Sequence, residues 1–143
     1  MARTRGFTLI ELLVVMAVVA IVAYAGAAGL RALGERTAAE DAPAALAQLV
    51  RYGSSAAAAR GRTLALVHGG GEVRLEDGGE VLRRYRLPEG VTLDVPAGTL
   101  LYFEPAGTVS YVDGIGWRIP LVVRGERVVL EVARAGEARE ARP

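Results

Sequence analysis

Residues 5–30 read RGFTLIELLVVMAVVAIVAYAGAAGL, an apolar run that carries one carboxylate, Glu11, near its start. From Leu12 to Leu30 no residue is charged. As a helix rising about 1.5 Å per residue, that run spans roughly 28 Å, close to the hydrocarbon thickness of a bilayer. Arg3 and Arg5 precede it, so the positive-inside bias keeps the N-terminus cytoplasmic and places everything after Leu30 on the other face. A charged carboxylate within an apolar helix costs up to about 2.5–3.5 kcal/mol on the insertion scale, less near the end than at the centre, so Glu11 reads as a functional residue. An ordinary signal peptide competes: Ala23-Tyr24-Ala25 before Gly26 has the small-x-small pattern of a cleavage site. Cleavage there would release a soluble domain, and it leaves Glu11 without a purpose.

Arg5-Gly6-Phe7-Thr8-Leu9-Ile10-Glu11 followed by an apolar helix resembles the class III leader of type IV pilins and pseudopilins. The resemblance implies that a prepilin peptidase cuts after Gly6 and that the new N-terminal residue, Phe7, is methylated. Glu11 then becomes the fifth residue of the mature chain, where that family keeps a glutamate. It further implies a non-enzymatic subunit anchored in the inner membrane, with its C-terminal domain in the periplasm. The implied partners are the prepilin peptidase, other pilins or pseudopilins and the assembly platform. In a fibre core, the buried amine of one subunit's Phe7 and the buried carboxylate of a neighbour's Glu11 would compensate each other. In an isolated helix, the same glutamate would only reach toward the headgroups.

The chain has 143 residues and a net charge of +1, enough for one helix and one small domain and without a bulk charge that selects a partner. Its 17 basic residues are all arginine, and it has no cysteine, so an exported domain must hold together by packing, without disulfides. After the leader (1–6) and the membrane or fibre-core span (7–30), residues 31–62 read as an amphipathic continuation of the helix. Leu46, Leu49, Val50, Gly53 and Ala57 share one face, small enough at its far end for a sheet to approach closely. The reading is one long helix from about Phe7 to Arg60, ended by Gly61. The alternative is two helices joined near Asp41 to Pro43, because a proline inside a helix removes a hydrogen bond.

From Thr63 the pattern changes to short apolar alternations punctuated by glycine turns. Eight antiparallel strands are expected over 63–134: Thr63–Val67, Glu72–Leu75, Glu80–Leu87, Val91–Val95, Leu100–Phe103, Thr108–Val112, Trp117–Val123 and Arg127–Ala133. A polar, frayed tail is expected over 135–143. The fold class is α+β, a long N-terminal helix packed on a C-terminal antiparallel sheet or sandwich. Tyr102-Phe103-Glu104-Pro105-Ala106-Gly107-Thr108 resembles the F-x-P-x-G stretch of GspH/FimT-type minor pseudopilins. Gln48 to Tyr52 and Ala57 to Arg60 resemble the helix end that precedes it there. The resemblance points to type II secretion, type IV pilus assembly or competence as the setting.

Catalytic chemistry has little material. His68 is the lone histidine, beside a Gly-Gly-Gly turn, and with no cysteine it offers neither a metal site nor a nucleophilic pair. No cofactor is expected. Glu72, Glu76, Asp77 and Glu80 flank turns and read as a solvated rim. Arg83, Arg84 and Arg86 around Tyr85 form a candidate phosphate-contacting strip with a stacking aromatic, and FimT-type relatives are associated with DNA uptake. Strand alternation halves that strip: Arg84 and Arg86 fall on one face, Arg83 and Tyr85 on the other.

Overall fold

The computed structural model describes residues 9–141. The chain divides into two compact units, one ending at Arg36 and the other beginning at Thr37. Helix α1 runs Leu9–Glu40. Its large apolar side chains are exposed within its own unit, from 48% at Val15 to 82% at Leu9. Apolar residues surround the whole circumference, so no stripe exists for a core to select, which is the pattern of a helix solvated by lipid or by other helices. By length and composition α1 is able to cross a membrane.

The second unit is built on helix α2, Ala42–Arg60. A single long helix is one part of the sequence reading that fails: α1 and α2 are separated at Asp41, as in the two-helix alternative. Pro43 is the reason, since it lies in the first turn of α2, where a missing N–H is tolerated, and would be misplaced in an interior. The interruption is slight. Asp41 N–H still donates to Thr37 O at 3.0 Å, and Ala45 N–H to Asp41 O at 3.0 Å. Gly61, at φ +65°, ends α2 in the left-handed conformation that glycine adopts without strain.

Nine strands follow among the described residues: β1 Leu64–Gly69, β2 Glu72–Asp77, β3 Glu80–Arg86, β4 Val91–Leu93, β5 Gly98–Phe103, β6 Val109–Tyr111, β7 Arg118–Val123, β8 Glu126–Val132 and β9 Ala138–Ala141. All pairings are antiparallel. They make a five-stranded sheet in the order β3-β2-β1-β5-β6 and a four-stranded sheet in the order β4-β7-β8-β9. The frayed tail is a second correction, because residues 138–141 form β9, which pairs with β8 from Val132↔Ala138 to Val129↔Ala141. Gly136, at φ +78°, makes the turn possible. Its carbonyl-bonded frame is Gly136 N–H to Ala133 O at 2.9 Å and Ala133 N–H to Glu137 O at 2.8 Å.

The inward residues of both sheets and the buried face of α2 share one core, with Phe103, Leu64, Leu66, Leu75, Leu121 and Leu130 essentially inaccessible. A bulge between Leu66 and Val67 shifts the β1–β5 register, and Leu100 and Leu101 are both buried beside it. The close approach of helix and sheet depends on Gly53, where a Cβ would run into the ring of Phe103. One turn of α2 also receives two loops: Ser54 Oγ donates to Gly107 O, and a Cβ on Gly136 would collide with the Ser54 side chain.

Candidate functional site: the N-terminal helix and the arginine strand

Gly6 and Phe7, the cleavage and methylation positions, lie outside the described residues. Glu11 stands in the first turn of α1, where the helix dipole favours an acidic group. It is exposed, and the side chains one turn on are apolar: Leu9, Leu12, Leu13, Met16 and Ala17 border a shallow, open depression on the helix surface. The carboxylate thus stands among apolar side chains near the start of the described helix.

The strip Arg83, Arg84, Tyr85 and Arg86 falls on β3 and is split as alternation requires. Arg83 turns toward α2 and stacks over the Tyr52 ring, its guanidinium carbon 4.5 Å from the centroid. Arg84 turns to the outer face, where its Nε is 3.4 Å from Glu72. The same Glu72 lies 3.6 Å from Arg74, which also reaches Glu76 at 3.1 Å. The outer face of the larger sheet is thus a ladder of alternating charges in which Glu72 bridges two arginines that sit directly opposite each other. Tyr85 is half-buried, and burial raises its phenol above the usual tyrosine value, with the negative charge of Asp41 adding to the effect. Its ring does not stand out as a stacking platform.

Asp77 departs from the solvated rim expected of its acidic neighbours. It is 6% exposed and sits between Arg62 at 3.2 Å and Arg60 at 3.8 Å, tying the end of α2 to the β2–β3 turn. Nothing in the local pattern Leu75-Glu76-Asp77-Gly78 signals that role, because the arginines come from another element. His68 lies at the end of β1 with its Nδ1 buried and unpartnered. Burial pushes the imidazole below its ordinary value, while the Pro96 carbonyl pulls the other way.

A cavity of about 570 Å³ that no sequence pattern marks opens beside β8 and β9. Trp117 and Arg51 line it with Glu131 and Arg139. Arg118 covers the Trp117 ring at 4.2 Å, and Glu131 joins Arg118 at 3.2 Å and Arg139 at 3.0 Å across three strands. Within it Glu131 and Arg139 pair with each other, and Arg51 donates to the Ala138 carbonyl at 3.4 Å.

Residues 1–23 match the prokaryotic N-terminal methylation motif. Neither the curated proteins nor the solved structures compared with the chain include a match. The methylation motif, with the apolar helix that continues from it, supports a type IV pilin-like protein and fits a pilin or pseudopilin subunit. A prepilin leader of this kind suggests processing by a prepilin peptidase and assembly with other pilins, and α1 is compatible with membrane anchoring.

Proposed function

We propose that the chain is a minor pseudopilin or minor pilin of the GspH/FimT kind, a non-enzymatic subunit. Cut after Gly6 and methylated at Phe7, it waits in the inner membrane with its β domain in the periplasm and is then drawn into the short fibre of a type II secretion or type IV pilus machine. The observation that carries this reading is the methylation motif running without a break into α1, with Glu11 in the first turn. Within the fibre, Glu11 neutralises the buried amine of a neighbour's Phe7, which selects the axial register of one helix against the next. The β domain resembles that of the minor subunits in its F-x-P-x-G stretch. Here Phe103 fills the space left by Gly53, and Gly107 O accepts the Ser54 hydroxyl, so the stretch acts as the clasp between sheet and helix. The β3 arginines favour no nucleic-acid role, since alternation divides them between two faces, Arg83 lies over the Tyr52 ring and the half-buried Tyr85 offers no base a free face.

Mass spectrometry of protein extracted from membranes tests the proposal. The expected chain begins at methylated Phe7, and Gly6→Leu keeps the leader attached. A chain beginning at Gly26 would overturn the reading in favour of an ordinary secreted domain.

A further inference from the structure

Strand β3 is one of the two edge strands of the five-stranded sheet, β6 being the other. A groove of about 180 Å³ lies beside it, walled by Ala45, Gln48 and Leu49 from α2 and by Arg83, Arg84 and Tyr85 from the strand. An edge strand presents a row of backbone N–H and C=O groups to any other strand that approaches. Edges that are to stay unused are commonly short or carry proline, and β3 has neither protection: it is seven residues long and free of proline. Its defences are the bulge at Leu82, before the regular run Arg83–Arg86, and charge, three arginines against Glu80. That charge repels a second β3 and any basic strand, and it attracts an acidic one.

We propose that the outer edge of β3 docks an extended, acidic segment of a partner polypeptide, added as a further strand beside Arg83, Arg84 and Arg86 with α2 along one flank. The proposal does not depend on the fibre reading. A peptide fits the edge better than a nucleic acid does. The edge offers donors and acceptors in alternation, which another backbone matches and a phosphate chain, offering acceptors only, does not. The half-buried Tyr85 gives no face for a base, and Arg83 is committed to Tyr52. Arg84 shares its guanidinium with Glu72 and retains donors for a second carboxylate, because an arginine carries five.

The test uses full-length protein in detergent and a fluorescent peptide as long as β3, alternating Thr and Glu, followed by anisotropy. Saturable binding is expected, with slowed amide exchange over residues 80–86. It should weaken about tenfold or more, roughly 1.4 kcal/mol, when Arg84→Gln and Arg86→Gln are combined. Both side chains are exposed, so the fold is retained. Replacing the peptide's Glu by Gln should weaken binding similarly, and so should N-methylation of its alternate amides, which keeps every charge and removes the backbone donors. Unchanged binding of the N-methylated peptide would reduce the site to simple charge attraction and overturn strand addition. Failure of the Thr–Glu peptide to bind, indifference to the arginine changes, or displacement of the peptide by a lower concentration of single-stranded oligothymidylate would each overturn the proposal.

Discussion

Helices α1 and α2 are both rich in alanine, and both contain glycine, yet they meet opposite fates. In α1 a side chain added at Gly26, Gly29 or Gly34 would meet nothing within 4 Å, whereas one added at Gly53 of α2 would strike the ring of Phe103. The difference is periodicity rather than composition. The apolar residues of α2 fall on one face and become smaller toward its end, so a sheet can seat against it, while those of α1 go all round and leave the choice of neighbour to the surroundings. One helix is specified by this chain's own domain. The other joins that core only at its end, through Ala39, and its apolar run from Leu12 to Leu30 is left exposed within its own unit.

If that contrast is right, substitutions should separate cleanly into assembly defects and folding defects. The largest effect is expected at Glu11. Glu11→Leu removes a costly charge from the apolar helix, so insertion should be undiminished and the β domain unaffected. A neighbour's amine would lose its partner at a cost of about 3–5 kcal/mol, enough to lower recruitment into complexes with partner pilins by about a hundredfold or more. Crosslinking in membranes measures this, and normal recruitment of the variant would reduce Glu11 to a tolerated interfacial charge.

The converse substitution is Gly53→Val. It should destabilise the domain by about 2–3 kcal/mol through overpacking against Phe103, read as a lower urea midpoint at unchanged slope in a chain truncated to begin at Thr37. Gly26→Val should leave that measure unmoved in full-length protein. Equal losses at both positions would break the comparison. The smallest expected effect is at His68. Its folded-state value lies below the ordinary imidazole value of about 6.5, so on acidification the unfolded chain takes up its proton first. Stability should therefore decline as pH falls from about 6.5 to the folded-state value and then level off. His68→Gln should flatten that part of the curve, and an unchanged curve would assign the decline to other groups.

Most of the β domain was legible because glycine turns and strict alternation mark its strands. Val73 and Leu75, or Ile119, Leu121 and Val123, announce an inward face without help from the rest of the chain. The helix end at Gly61 was legible for the same local reason. What escaped depends on partners distant in sequence. Ala138-Arg139-Glu140-Ala141 has no β-branched residue and becomes a strand only because β8 stands ready to pair with it. Asp77 resembles its solvated neighbours until Arg60 and Arg62 close over it. The cavity at Trp117 needs α2 and the β8–β9 turn to be brought together before it exists. Glu11 is the reverse case, since its place as a charge among apolar residues is visible in the sequence alone, and the role proposed for it owes nothing to the folded domain.

The sheet element that α2 meets most extensively is β9, the last of the described strands. The domain therefore has a built-in order of events during synthesis. α2 emerges early, yet its principal partner appears only when residues 138–141 have been made, so the hydrophobic face from Leu46 to Ala57 must wait while the intervening strands are laid down. Closing so long a separation in sequence slows folding. Helix α1, whose backbone hydrogen bonds close within a turn, has no such delay. The first helix is complete before the domain can close, and loss of residues 138–141 would leave the apolar face of α2 without its main sheet partner.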